Sequence, residues 1–333
     1  MKIPKKILLL LTISALITSA CTSSSQSQPE KDATPKQVTL LAYDSFTPVE
    51  GIFDDFTAAT GAKVKVVTSG DSGALINKAI LTAGNPEGDV LWGLDNTLLT
   101  AAQDAKLLTS YIPVDEGDVC INLDKNWFVK NKLSPPSTLE ELVLPQYKNL
   151  LVVQDPLASS PGLAFLMATI AAFPETWQDY WQKLKENGVH VAANWTTAYT
   201  VDFSGSYGKG KYPLVVSYGT SPPAEVLYAT TPITEPPTSV MEASCFRQTE
   251  YVGLLRGTKN PTIGQQLVDY LLGKKFQESI PLSFFMFPIN TEAVLPELFL
   301  KFAIRAKNPL MLAPETIASQ RNSWLQTWRE IML

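Results

Sequence analysis

From residue 38 onward the chain alternates short apolar, β-branched runs with polar turns and with stretches of helical spacing. Val38 to Tyr43 predicts a first strand, and Asp44-Ser45-Phe46 turns out of it. Thr47-Pro48-Val49-Glu50 has the form of a capping box with proline at the first helical position. The helix predicted there carries Ile52, Phe53 and Phe56 and stops at Gly61. Val64 to Val67 is the next strand, and Gly70-Asp71-Ser72-Gly73 leads into a helix with Leu75, Ile76 and Ala79. A third strand, Asp89 to Trp92, ends in Gly93-Leu94-Asp95-Asn96 before another helix. Three rounds of strand, turn and helix predict a parallel sheet with helices on its faces.

A second series begins near Val119. Leu150 to Val153 is a strand, and Ser159-Ser160-Pro161-Gly162 opens an apolar helix through Ala171. Trp177, Tyr180, Trp181 and Leu184 share one helical face, which marks core packing. Val189 to Ala192 is a strand, with Trp195 just past its end. Leu214-Val215-Val216 reads as a strand buried on both faces, and Ser221-Pro222 repeats the Ser-Pro helix start. After a Pro-rich loop at 230–239 comes a β-rich run from Cys245 to Leu255. From Pro261 the pattern is helical, interrupted over 280–288.

Composition adds a compartment. Of the 333 residues 45% are hydrophobic, enough for two cores of ordinary domain size. Lys2, Lys5 and Lys6, the apolar run Ile7 to Ile17, and Thr18-Ser19-Ala20 before Cys21 form an export signal over 1–20, too short to span a membrane. It resembles a bacterial lipoprotein signal with Cys21 as the lipid attachment site; a plain signal peptide is the alternative. Residues 21–37 are polar and Ser/Pro-rich, as expected of a flexible tether. Loss of the leader removes three of 27 basic residues and none of the 32 acidic ones, taking the formal charge from −5 to −8. Such a chain has no electrostatic footprint for nucleic acid, and an acidic site suits a cationic ligand. The remaining cysteines, Cys120 and Cys245, read as a disulfide in an exported protein.

Several chemistries lack their parts. His190 is the only histidine, and no Cys/His cluster, HExxH, P-loop, GxGxxG or GxSxG occurs, so no metal or cofactor is expected. What recurs is a polar or aromatic group at the carboxyl ends of strands, where open α/β sheets bind ligands. The first series supplies Tyr43, Asp44, Ser45, Asp71, Ser72, Asp95 and Asn96. The second supplies Ser160, Trp195, Tyr199, Tyr218 and Ser221. Aromatic faces and carboxylates attract cations, and the helix starts at Ser160 and Ser221 would favour an anionic group such as a phosphate.

These turns carry a family resemblance. YDSF (43–46), GDSGALINKAIL (70–81), GLDNTLL (93–99), DPLASSPGLAF (155–165), VVSYGTSPPAEV (215–226) and CFRQTEYVG (245–253) are similar to the thiamine-binding proteins of bacterial ABC importers, within the periplasmic binding proteins. The resemblance implies an α/β, two-lobed periplasmic-binding-protein fold, each lobe a mixed sheet flanked by helices, with the ligand cleft between lobes. It places one lobe at 38–117 and 247–288 and the other at 118–246 and 289–333, with the two cysteines at the crossings. It implies an extracytoplasmic protein that captures thiamine or its phosphates and delivers them to permease subunits, held at the membrane only by its lipid. The family's pocket aromatic falls on Tyr43, its carboxylate on Asp71, its tryptophan on Trp195 and its second-lobe tyrosine on Tyr218. Phe285 stands where some members carry tryptophan, and Asp-Glu-Gly-Asp at 115–118 where members often have tyrosines. A cation–π contact is worth roughly 0.5–2 kcal/mol against about 8 kcal/mol for micromolar binding, so aromatics alone do not suffice. A polyamine would satisfy the same acidic aromatic cleft, and an exported enzyme acting on a cationic metabolite is a third reading, for which no nucleophile–base pair is apparent.

Overall fold

The computed structural model describes residues 36–206 and 210–333. The expected export signal, Cys21 and the expected tether up to residue 35 lie outside the described residues. The chain enters on β1 (Lys36–Ala42), followed by α1 (Asp54–Thr60), β2 (Ala62–Thr68), α2 (Ser72–Leu81), β3 (Val90–Asp95) and α3 (Leu99–Asp104). The long strand β4 (Leu108–Asp124) leads through α4 (Lys125–Asn131) to β5 (Leu151–Gln154), α5 (Ser160–Ala172), α6 (Trp177–Glu186) and β6 (His190–Ala192). A π-helical turn over Thr197–Asp202 precedes β7 (Leu214–Tyr218) and α7 (Pro222–Leu227). Then come a second long strand, β8 (Thr238–Leu255), α8 (Pro261–Leu271), α9 (Lys274–Ser283), β9 (Phe287–Pro288), α10 (Glu297–Phe302) and α11 (Pro314–Met332). Among these residues no helix is long and apolar enough to cross a membrane.

The strands form one sheet in the order β2-β1-β3-β8-β4-β7-β5-β6, with β9 on β4. Its two ends are parallel, as the strand–turn–helix rhythm predicts: β1 with β2 and β3, and β5 with β6 and β7. Its middle is antiparallel. β8 pairs with β3 through 250–254, β4 pairs with β7 through 119–123, and β4 and β8 pair with each other along most of their length. Two strands thus run through both halves of the molecule, and a disulfide between Cys120 and Cys245 joins them, with Cα atoms 4.1 Å apart.

The second half does not begin at Val119: β4 starts at Leu108, and Pro113 and the acidic run 115–118 lie inside it. Pairing with β8 on one side and β9 on the other overrides the poor strand propensity of those residues. The first helix starts at Asp54 rather than after Thr47, because the N–H groups of Ile52 and Asp54 close tight turns onto Val49 and Gly51. Its stop is as expected, a left-handed Gly61. Pro281 does not break α9, which continues to Ser283. α5 is apolar on all sides and buried from Ser160 to Ile170, packed between α6 and the strands β4, β5, β7 and β8. Trp177, Tyr180, Trp181 and Leu184 of α6 are buried as their spacing predicts. His190 stacks on Tyr212 and meets Asp202 at 3.3 Å.

Candidate ligand-binding cleft

Tyr43 leaves the end of β1, and its ring crosses β3 at Gly93, where a Cβ would sit 2.5 Å from the ring. The phenol donates to Glu250 Oε2 at 3.3 Å, and Trp92 Nε1 donates to the same oxygen at 3.2 Å. Below them Phe46 stacks on Phe284 at 4.7 Å, and both rings lie against Trp92 at 5.3 and 5.6 Å. Aromatic pairs of this kind contribute about 0.5–1.5 kcal/mol each beyond area burial, which makes a stiff floor. Asp71 caps α2: one carboxylate oxygen accepts the Ser72 N–H at 2.8 Å.

The other half supplies the facing wall. Trp195 follows β6, stacks on Tyr199 at 5.1 Å and 12°, and donates Nε1 to Ser217 Oγ at 2.9 Å. Tyr199 donates to Glu225 of α7 at 2.7 Å. Ser221 does not cap α7 with its side chain; its hydroxyl meets Ser217 Oγ at 2.8 Å and accepts the Tyr218 N–H at 3.2 Å. Phe285 adopts a left-handed backbone (φ 53°), uncommon for a bulky residue, and sets its ring edge-on to Tyr228 at 5.9 Å.

Between these walls is a cavity of ≈ 350 Å³, within the roughly 300–1,000 Å³ of small-molecule sites. Ten of the sequence candidates line it: Tyr43, Asp44, Ser45, Asp71, Ser72, Trp195, Tyr199, Tyr218, Ser221 and Phe285. Three do not. Asp95 is fully buried and accepts from Thr97 N–H at 2.7 Å, from Gln248 at 2.8 Å and from Ser160 Oγ. Ser160 is therefore occupied within the protein, receiving Gln248 Nε2 at 2.7 Å as well. Asn96 pins its turn to β8 through the Arg247 carbonyl and the Thr249 N–H. All three brace β3 and α5 against β8 beneath the cleft.

The lining also contains groups that the turn-by-turn reading passes over, chiefly Glu250, Glu225, Tyr228 and Phe284. Glu250 had one signal, a carboxylate inside the β-rich run from Cys245 to Leu255. Its four charged side chains, Asp44, Asp71, Glu225 and Glu250, are all acidic. Burial raises Asp71 above its ordinary value, against the lowering effect of hydrogen bonds from the Ser72 and Trp195 N–H groups. Burial raises Glu225 to about 7. Burial and then the nearby Asp115 carboxylate push Glu250 well above its ordinary value. The lining combines aromatic rings with carboxyl groups and holds no basic side chain.

A two-half α/β sheet spanned by two shared strands, with a ligand-sized cavity between the halves, defines a solute-binding protein. The chain belongs to the bacterial extracellular solute-binding protein family, whose model matches residues 43–278. It is similar to the thiamine-binding periplasmic protein of Salmonella typhimurium, 29% identical over 88% of this chain and 92% of that one. The thiamine-binding periplasmic protein of Brucella abortus is 27% identical over 88% and 91%. A solved structure described as a periplasmic thiamin binding protein superposes with a TM-score of 0.81 at 25% identity, covering 91% of this chain and 99% of the other.

Proposed function

We propose that this protein captures thiamine in the cavity between its halves and delivers it to the permease of an ABC importer. The observation that carries the reading is the lining itself: aromatic rings from both halves around a space whose charged side chains are all acidic. Thiamine offers a flat, permanently cationic thiazolium and an aminopyrimidine whose exocyclic amine donates hydrogen bonds. Trp195, Tyr218, Tyr43 and Phe285 supply faces for the cation. Glu225, Glu250 and Asp71 supply the carboxylates, and closure excludes water from both. The relatives named for thiamine support the same ligand.

Free thiamine fits this lining better than its phosphates. The α5 N-terminus, expected from the sequence to receive a phosphate, has its Ser160 hydroxyl buried against Asp95 and Gln248. The polar annex of ≈ 290 Å³ beside the cavity is bordered by Asp44 and Asp71 as well as by Asn194, Thr196 and Thr197. Isothermal titration with thiamine, thiamine diphosphate and spermidine tests the assignment. Thiamine is expected to bind most tightly; no binding of thiamine at millimolar concentration alongside clear spermidine binding would establish the polyamine reading instead.

The same reading places the protein outside the cytoplasm on a lipid attached to Cys21, with the residues up to 35 as its tether, since Lys36 and Gln37, expected to belong to it, already pair in β1. Cys21→Ser is then expected to move the protein from the membrane fraction to the soluble one. Unchanged membrane association would assign the anchor elsewhere.

A further inference from the structure

Asp115 and Glu250 face each other in the paired strands β4 and β8. Residues directly opposed in an antiparallel pair project from the same face of the sheet. Glu250 lines the cavity. Gly117, two residues along from Asp115, shows where that face points: a Cβ there would lie 2.7 Å from Met286 Sδ and 3.4 Å from the Tyr218 ring, both cavity-lining groups. By strand alternation Asp115 is aimed the same way, beneath the floor that Glu250 forms.

The two acids are treated differently by their surroundings. Glu250 Oε2 receives the Tyr43 phenol and the Trp92 indole N–H. Asp115 is fully buried, and neither of its oxygens has a hydrogen-bond partner. An ionised carboxylate without a donor in the interior is costly, and two carboxylates side by side do not both ionise. Burial, then Glu116, raises Asp115 well above its ordinary value.

The groups facing the pair give no compensating positive charge. Tyr43 comes from the end of β1, Asp95 from β3 and Tyr218 from β7, with Asp71 at the cap of α2 acting on Tyr218, and all are acids. Next to Asp115 on β4, Glu116 is paired with Arg305; on β8, Arg247 is paired with Asp118. Arg321 of α11 lies within electrostatic reach of Asp95. The segment between α9 and β9 contributes Phe284, Phe285 and Met286, none of them titratable.

We propose that Asp115 and Glu250 form a proton-sharing pair under the cavity floor: they hold one proton between them when the cavity is empty, and a cation bound above them expels it. The proposal rests on the cavity being a cation site, as argued above. The balance is simple. The carboxyl O–H bond breaks, its proton passes to water or buffer, and the pair goes from one negative charge to two as the ligand's positive charge arrives; no electrons are transferred. Capture of a permanently charged ligand is thereby coupled to proton release, and an empty cavity avoids two bare carboxylates.

Glu225 also titrates near neutrality at this site, so the test is made in the full chain carrying Glu225→Gln. Thiamine is titrated calorimetrically at pH 7 in two buffers of different ionisation enthalpy. About one proton released per thiamine is expected, falling towards zero when Asp115→Asn is added. Glu250→Gln, which keeps an acceptor for Tyr43 and Trp92, should do the same and serves if Asp115→Asn folds poorly. Buffer-independent heats in the parent, or undiminished release in both variants, would overturn the pair. A second arm needs no ligand. The melting temperature of the empty Glu225→Gln protein should fall between pH 5 and pH 8, and the added substitution should flatten that slope. Identical slopes would also overturn the pair, whereas absence of any thiamine signal with the expected slopes would overturn only the choice of thiamine.

Discussion

The Asp71 carboxylate accepts the backbone N–H of Trp195 at 3.1 Å, while its other oxygen caps α2 through Ser72. Asp71 belongs to the β1–β3 half and Trp195 to the β5–β7 half, so one side chain ends a helix and joins the two walls of the cavity. The Ala74 N–H, one turn into α2, reaches the Ala158 carbonyl of the other half at 3.0 Å and reinforces the same contact. Closure is therefore held partly by the protein itself.

Asp71→Asn keeps the size of the side chain but turns one acceptor into a donor facing an N–H group. Hydrogen bonds to charged groups contribute about 1.5–3 kcal/mol, so thiamine affinity should fall by more than tenfold. Small-angle scattering should show a larger radius of gyration in the presence of thiamine than for the parent. Affinity equal to the parent's would remove Asp71 from both roles.

Trp195 presents one ring face to Tyr199 and lines the cavity with the rest. Trp195→Ala should weaken thiamine binding by roughly 2–30-fold, the equivalent of a contact of about 0.5–2 kcal/mol. In the parent, thiamine should quench tryptophan fluorescence far more than spermidine does. Trp195→Phe should retain most of the affinity while losing most of the quenching, which separates stacking from general packing.

Glu225 sets a pH dependence with a definite sign. Its folded value of about 7 lies above the ordinary 4.5 because burial outweighs the hydrogen bond from Tyr199. The folded state holds this proton more tightly than the unfolded chain. Its stabilising contribution is thus complete below about 4.5 and lost as pH rises through about 7. Ionisation over the same range adds negative charge to the cavity, so thiamine affinity should rise from pH 6 to pH 8. Glu225→Gln should reduce both trends, as read by thermal melts and calorimetry across that range.

The Cys120–Cys245 bond closes a loop with a sequence separation of 125. In the chain-entropy model a loop of this length stabilises by about 4–5 kcal/mol. Cys120→Ala/Cys245→Ala should lower the urea midpoint accordingly, and reductant should shift the parent in the same direction while leaving the double variant unmoved. A double variant as stable as the oxidised parent would show that the bond contributes little to folding.

Much of the cavity was legible because the chain repeats one local form. Tyr43, Asp71, Trp195 and Tyr218 each follow an apolar run, the last three at or near a helix start as well, and that periodicity places them at strand ends without any knowledge of the sheet. The disulfide pair was legible for a different reason, since it depends on residue type and compartment rather than on geometry.

What the linear pattern did not determine is where the sheet turns antiparallel and which polar groups face inward. Leu108 to Asp118 reads as a charged, proline-containing passage, and it becomes a strand only because β8 and β9 supply its hydrogen bonds. That pairing sets Asp115 opposite Glu250, two acids 135 positions apart in the numbering whose opposition is a matter of register. Asp95 and Ser160 carry the same turn signature as the lining residues, yet they bond to each other beneath the cleft. A polar side chain at a strand end has the same local sequence whether it meets ligand or protein. Only the packing of the two halves decides which partner reaches it first, because a buried donor or acceptor is costly without one and takes whichever the fold brings within range.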